Sequence, residues 1–248
     1  MDVLEIWRYP VKSLQGERAD RVPVGVDGIE GDRQFALFDL GTGLGLTARR
    51  APELLFGSAR WLGPGAVEIT LPDGTVAADD AALSGWLGRP VALRSSAEQE
   101  LRRYENPIDF EDESASWEAF DGARDSFRDS ARTVVSLLST GSVGEWDRRR
   151  FRANVLLAGS GEDAWVGSRV VGRQVGGGDG VELDVVKRVG RCVMVTRPQP
   201  GGIERDLDVL RTIHRDRGGD IAIGARVSRP GTIAVGDRVE PVEAPASG

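Results

Sequence analysis

The sequence has a single cysteine and a single histidine, and this scarcity excludes several classes of protein. With only Cys192, the chain cannot form an intramolecular disulfide or build a cysteine-rich zinc or iron–sulfur site by itself. With only His214, histidine-rich metal sites are excluded, and a hydrolase with a histidine base would have to use this residue. We interpret His214 as structural, because the pattern places it on the apolar side of a predicted helix.

Long apolar runs are also absent. No stretch approaches the eighteen or so apolar residues of a membrane-spanning helix, and the acidic N-terminus does not resemble a secretory signal. The formal net charge of −7 argues against binding to nucleic acid or to an anionic membrane. Glycine-rich nucleotide motifs between a strand and a helix are missing. We therefore expect a cytoplasmic protein.

Many short alternating segments, separated by glycine-rich turns, predict a mainly β protein with a few helices. We expect two joined β-barrel-like domains at residues 1–95 and 126–242, with an acidic linker or loop at 96–125 and a disordered tail at 243–248. Local patterns predict helices at 79–87, 142–149 and 206–217. They also predict a strand at 193–196 and a closing hairpin formed by residues 226–228 and 232–235.

Cys192 allows two interpretations. A lone cysteine is most often a small buried hydrophobic side chain, and composition alone favours that role. The alternative is a reactive thiolate at the start of a strand, stabilised by the neighbouring cations Arg188 and Arg191.

Basic and hydroxyl side chains follow several predicted strands and turns. Arginine binds phosphate with two parallel hydrogen bonds and lysine acts as a point charge, so several of them in one cleft would suit an anionic cofactor. Taken singly, each is more simply explained as a solvated surface group. The candidates are Lys12, Ser13, Arg33, Thr47, Arg49, Arg152 and Asn154.

The chain resembles the MOSC-domain family in the order of its motifs: YPVKSL, GDR, TAR, RFRxN, EDAWVG, GRC and GTIAVGD. The resemblance runs from residue 3 to about 240. It is closest to the branch with an added N-terminal β-barrel domain, which includes YcbX-like proteins and the mitochondrial amidoxime-reducing component. No single motif is decisive, but the ordered set is much more specific than any of its members.

This resemblance implies a molybdenum cofactor, with the Cys192 thiolate as the protein ligand of molybdenum and a pyranopterin dithiolene supplying the other sulfurs. It also implies a set of cofactor-binding positions around the pterin and its phosphate. These positions are Lys12, Ser13, Arg33, Arg49, Asp129, Ser130, Arg152, Asn154 and Arg191. Pyridoxal phosphate is not expected.

Two departures from the family pattern bear on substrate and electron supply. After the cysteine, the run from Thr196 to Gly202 has an arginine where relatives often have an acid, so the substrate class stays open. No ferredoxin-like cysteine cluster follows. Electrons would therefore come from a separate donor protein, of the ferredoxin or flavin reductase type.

The resemblance implies a reductase of N-hydroxylated substrates, of the amidoxime or hydroxylamine type. A second hypothesis is a cofactor carrier or sulfur-transfer protein in which Cys192 bears a persulfide. A third is a binding module without a metal. Elemental analysis separates the third hypothesis from the other two.

Overall fold

The computed structural model describes residues 1–98, 102–109, 114, 116–123, 126–130, 132–173 and 180–242. This part of the chain is mainly β, as the sequence predicts. Its helices are α1 (Asp80–Leu87), α2 (Thr140–Val143) and α3 (Leu207–Arg217), with 3-10 helices at Pro52–Phe56, Arg148–Phe151, Glu162–Trp165 and Val193–Thr196. Its strands are β1 (Val3–Arg8), β2 (Glu17–Ala19), β3 (Arg21–Gly25), β4 (Gly28–Ile29), β5 (Phe35–Asp39), β6 (Ser58–Gly63), β7 (Ala66–Thr70), β8 (Val91–Ser95), β9 (Arg103–Pro107), β10 (Trp117–Asp121), β11 (Val135–Ser139), β12 (Val155–Leu157), β13 (Arg169–Arg173), β14 (Glu182–Gly190), β15 (Asp220–Arg229), β16 (Gly231–Ala234) and β17 (Arg238–Val242).

An eight-stranded sheet joins the two ends of the sequence, in the order β17-β13-β14-β15-β11-β12-β1-β2. Strands β11 and β12 run parallel, and the neighbouring pairs run antiparallel. In β1, Val3 and Ile6 are buried and Leu4 is exposed, and a register shift between Val3 and Glu5 interrupts the regular alternation of the strand. The first strand of the chain is therefore built into a sheet whose other members come mostly from the C-terminal half.

The rest of the N-terminal half packs around a second core. It contains the antiparallel pairs β5–β8 and β6–β7, and its buried side chains include Leu14, Leu37 and Leu54. Helix α1 closes this core: the Asp79 side chain accepts the Ala82 backbone N–H at 2.9 Å and caps its N-terminus. The described helices include none long and apolar enough to cross a membrane.

The segment that we expected to be a linker or loop contains an antiparallel hairpin, β9–β10. Tyr104 of this hairpin is fully buried against Ala36, Phe38 and Phe127. The loop expectation was therefore wrong for residues 103–107 and 117–121, because one aromatic side chain anchors the hairpin to a separate small core. Residues 110–113 and the predicted disordered tail at 243–248 lie outside the described residues.

Four local predictions were also wrong. Residues 193–196 form a 3-10 helix instead of a strand, because a run of four residues is too short for its apolar pattern to separate a strand from a helical turn. The predicted helix at 142–149 is replaced by the short α2 and a 3-10 helix. The predicted closing hairpin does not form, because β16 pairs with β3 and β15 pairs with β14 and β11. His214 is exposed on α3 instead of facing the core.

Candidate functional site

One cleft, of about 350 Å³, gathers side chains from distant parts of the sequence. Its walls come from the segments after β1 and before β5, the approach to β11, the approach to β12, and the end of β14. All ten candidate site residues line it: Lys12, Ser13, Arg33, Arg49, Asp129, Ser130, Arg152, Asn154, Arg191 and Cys192. Thr47 lines it as well.

The lining is strongly cationic. Besides the five cations predicted from sequence, Arg128 and Lys187 line the cleft, and Asp129 is the single carboxylate among the lining residues. The whole chain carries a net charge of −7, so this cleft opposes the sign of the protein around it. Low-dielectric walls of one charge sign concentrate field lines and attract ligands of the opposite charge. Sequence reasoning missed Lys187, which lies in an alternating strand with no motif around it.

Asp129 links two buried cations. Lys12 Nζ donates to the Phe127 carbonyl oxygen at 2.8 Å and to the Asp129 carboxylate, and Arg49 Nη2 donates to Asp129 Oδ2 at 2.7 Å. Burial would raise the pKa of Asp129, but Lys12 and Arg49 outweigh it and hold this pKa well below its usual range. Burial lowers the pKa of Lys12, and Asp129 opposes that shift.

Arg49 also reaches the cysteine. Its Nε lies 3.3 Å from Cys192 Sγ, and its own carbonyl oxygen accepts a hydrogen bond from Arg197 Nη2 at 2.8 Å. Burial alone would lower the pKa of Arg49, but the Asp129 carboxylate and the contact with Cys192 raise it above its ordinary value. Cys192 is partly exposed and begins the 3-10 helix that follows β14. The Arg49 guanidinium therefore binds Asp129 at one end and contacts Cys192 Sγ at the other, which orients the thiol toward the cleft.

The expected contribution of Arg188 to the thiol was wrong. Arg188 is more than half exposed, and its Nε lies 3.5 Å from the Asp163 carboxylate. It is not among the residues that line the cleft. Adjacent residues of a strand point to opposite faces, so the strand aims Lys187 and Arg188 in different directions.

A second group of cations surrounds the Tyr9 ring. The guanidinium carbon of Arg33 lies 4.6 Å from the ring centroid and that of Arg152 lies 4.3 Å from it. Arg33 Nη1 donates to the buried Asp32 carboxylate at 2.6 Å, and Arg33 Nη2 donates to the Arg152 carbonyl oxygen at 3.1 Å. The Tyr9 ring attracts each of these two guanidinium groups through a cation–π interaction.

Arg152 is held differently from Arg33. Its Nη1 is buried and has no hydrogen-bond partner within the described chain. Burial lowers the pKa of Arg152 to about 10. Ser13, Arg33 and Arg152 all have backbone φ angles in the left-handed region, at 70°, 52° and 50°. Residues other than glycine are strained in this backbone conformation by about 1 kcal/mol or more, and such strain concentrates at functional sites.

Three of the predicted site residues use their polar side-chain atoms in hydrogen bonds to other parts of the protein. Ser13 Oγ accepts the Ala48 N–H at 2.9 Å, and Asn154 Oδ1 accepts the N–H and the hydroxyl of Ser136. Arg191 donates to the carbonyl oxygens of Phe151 and Ile221, at distances between 2.6 and 2.9 Å. These contacts brace the cleft walls and hold the neighbouring segments in register.

The fold and the cleft define a β-rich protein with one cysteine in a cation-lined cleft. Residues 1–117 match the model of the MOSC N-terminal beta barrel domain, and residues 124–240 match the model of the MOSC domain. The chain therefore belongs to the MOSC family. No curated protein matches it. The crystal structure of the YUAD protein from Bacillus subtilis is similar at 12% identity, covering 96% of this chain and 93% of that chain, with a TM-score of 0.42.

MOSC domains form a molybdenum-cofactor-binding family and occur in proteins of the sulfurase and reductase types. The residues present in this cleft fit such a group. A soft thiol, of the kind that binds molybdenum, lies among cations suited to a phosphate. Two buried polar atoms of the lining, Arg152 Nη1 and Thr47 Oγ1, lack a partner among the described residues. Buried donors without partners carry a desolvation penalty that a polar ligand would relieve.

Proposed function

We propose that this protein is a molybdenum-cofactor-dependent oxidoreductase that reduces N-hydroxylated small molecules, of the amidoxime or hydroxylamine type. The observation that carries the proposal is the position of Cys192, the only cysteine, in a cleft lined by seven cations and one carboxylate. Neither a buried structural cysteine nor scattered surface cations would account for that arrangement. MOSC-family membership supports the cofactor, and the resemblance to amidoxime-reducing relatives supports the reaction.

Each part of the cleft has a role in this proposal. Cys192 ligates the metal, and the Arg49 Nε–H fixes the direction of its sulfur. Lys12, Arg33 and Arg152 attract the phosphate of the pterin, with Arg152 Nη1 as the donor still lacking a partner in the described chain. Ser13, Asn154 and Arg191 keep the walls in place. A molybdenum cofactor held by these residues would supply the two-electron redox chemistry needed to remove oxygen from the substrate.

The protein's own contribution to turnover is positioning. The buried side chains of Phe151 and Val195 give the cleft an apolar part of its lining, and its cations present donors to a polar substrate. With one cysteine, the chain forms no iron–sulfur cluster by itself, so the proposal includes a separate donor protein of the ferredoxin or flavin reductase type. We place the reaction in the cytoplasm.

Turnover of benzamidoxime tests the reaction. The protein is produced in a host that makes molybdenum cofactor and is supplied with a chemically reduced viologen as the electron donor. We expect benzamidine to form with the wild-type protein and not with Cys192→Ser. A wild-type protein that carries molybdenum and pterin but reduces neither amidoximes nor hydroxylamines would contradict the reductase proposal.

A carrier or sulfur-transfer role is the second candidate, because Cys192 is partly exposed and the Arg49 contact would stabilise a persulfide anion as well as a thiolate. Mass spectrometry after incubation with a cysteine desulfurase and cysteine separates the two roles. A carrier would gain one sulfur atom at Cys192 and pass it on. A reductase would show no such transfer.

A further inference from the structure

Lysine is nearly absent from this chain. Of its 32 lysine and arginine residues, only Lys12 and Lys187 are lysines. Both line the cleft, although the cleft holds only seven of the chain's cations. Both ammonium groups of a chain that otherwise uses arginine for its positive charges therefore lie at one site. Lysine differs from arginine because it carries a compact charge at the end of a flexible side chain, which can adjust to a ligand that exchanges with solvent.

The two lysines have different surroundings. Lys12 is buried, and its ammonium group is used by Asp129 and the Phe127 carbonyl oxygen. Lys187 is half-buried, and no carboxylate or hydrogen-bond acceptor of the described residues pairs with it. A break in the β14–β15 register between Val185 and Lys187 sets its position on the strand. Lys12 therefore has an internal counter-ion, and Lys187 offers its charge to the cleft.

Accessibility separates a resident ligand from an exchanging one. Lys12, Arg49 and Arg152 are each less than a tenth exposed, as befits groups that hold a cofactor permanently. Lys187 is open enough to meet a diffusing molecule. It precedes Cys192 by five residues, so their backbones are at most about 18 Å apart. Because Lys187 and Cys192 also line the same cleft, a small substrate that approaches Cys192 can contact Lys187 with a charged end.

We propose that Lys187 binds an anionic group of the substrate, a carboxylate or a phosphate, and that the substrate is therefore an anionic N-hydroxylated compound. This inference rests on the proposed reductase function. The positive cleft would also attract such a substrate from a distance, so its association rate should fall as salt is added. The other possible source of the anion is the phosphate of the cofactor itself.

A matched pair of substrates tests the inference. 4-Carboxybenzamidoxime and benzamidoxime differ by one carboxylate, so the ratio of their kcat/KM values reports recognition of that charge. We expect the ratio to favour the carboxylate in the wild type, to fall about tenfold in Lys187→Gln, and to be largely restored in Lys187→Arg. Arg188→Gln is the control, because it removes one positive charge from the next residue, outside the cleft. An unchanged ratio in Lys187→Gln would overturn the proposal.

Metal analysis distinguishes the two sources of the anion. Lys187→Gln should retain the molybdenum and pterin content of the wild type if Lys187 serves the substrate. Loss of both would show that Lys187 anchors the cofactor phosphate, and the substrate proposal would then fail.

Chemical modification gives a readout that needs no turnover. Acetylation of the loaded protein can be mapped by mass spectrometry to two lysines and the amino terminus. We expect 4-carboxybenzamidoxime to protect Lys187, and benzamidoxime to leave it reactive. Equal labelling of Lys187 with both compounds would overturn the proposal. If neither amidoxime were reduced but Lys187 were still protected, the reductase function would fail while the anion site would stand.

Discussion

Two groups of cations share the cleft and differ in what neutralises them. Lys12 and Arg49 are bound to Asp129, and Arg49 continues to Cys192. Arg152 and Lys187 have no carboxylate partner among the described residues. Ion pairs within the wall fix its geometry, whereas charges left without a counter-ion determine what the cleft attracts. The structure thus separates the cations that build the site from those that are available to a ligand.

Removing the shared carboxylate should have the largest effect on stability. Asp129→Asn would leave Lys12 and Arg49 buried without their anion, so we expect a loss of about 2–3 kcal/mol. This is less than for a fully buried pair, because the Asp129 side chain is half exposed. Urea unfolding of the cofactor-free protein measures it. An unchanged midpoint would show that the cluster does not support the wall.

The same variant has a defined pH dependence. The pKa of Asp129 is lowered in the folded protein, so its stabilising effect is present above the ordinary carboxyl pKa of about 3.9 and is lost as the pH falls below that value. The difference in unfolding free energy between the wild type and Asp129→Asn should therefore shrink in acid. A difference that grew between pH 5 and pH 3 would contradict this assignment.

Tyr9 should come next, because its ring contacts both Arg33 and Arg152. Tyr9→Leu removes the aromatic face and leaves part of its volume empty, with an expected loss of about 2 kcal/mol. Tyr9→Phe is the matched control, since it keeps the ring, and it should stay within about 0.5 kcal/mol of the wild type. Equal losses in the two variants would assign the effect to the hydroxyl group instead.

Arg152→Met should act in the opposite direction on stability. It removes a buried charge that has no counter-ion in the described chain, so we expect the cofactor-free protein to be unchanged or up to about 1 kcal/mol more stable. Methionine, like arginine, is strained in the left-handed backbone conformation of position 152, so the substitution leaves that strain unchanged. Molybdenum content should fall in the same variant. Destabilisation beyond 1 kcal/mol would show that Arg152 is structural.

The smallest effect is expected outside the cleft. Arg188 and Asp163 form an exposed ion pair, and such pairs contribute about 0–1 kcal/mol. Arg188→Gln should change the unfolding free energy by less than about 0.5 kcal/mol and leave molybdenum content unaltered. A fall in molybdenum content in this variant would show that Arg188 contributes to the site after all.

The sequence predicted which residues line the candidate site better than it predicted the contacts between them. Ordered motifs identified residues from Lys12 to Cys192 that the fold brings to one cleft. The Arg49–Cys192 contact could not be predicted, because it joins positions 143 residues apart and depends on how the two halves pack. Lys187 lacks a local motif, and its significance depends on the scarcity of lysine together with its position in the cleft.

For the fold, likewise, the sequence predicted the local elements better than it predicted how they pair. Alternating segments and turn residues predicted many strands, an acidic start marked α1, and the spacing of apolar residues marked α3. Pairing partners were not predictable, since β16 bonds to β3 across most of the chain length. The apolar run after Cys192 was equally ambiguous, because its four residues are too few to show the periodicity that separates strands from helical turns.

Molybdenum and pterin content of purified protein, wild type against Cys192→Ser, tests the central claim most directly. Both proteins are produced in the same cofactor-competent host, and serine keeps the size of the side chain while removing the soft sulfur ligand. We predict close to one molybdenum per chain in the wild type and little or none in Cys192→Ser, with both proteins folded by circular dichroism. Equal molybdenum content in the two proteins, or none in the wild type, would contradict it.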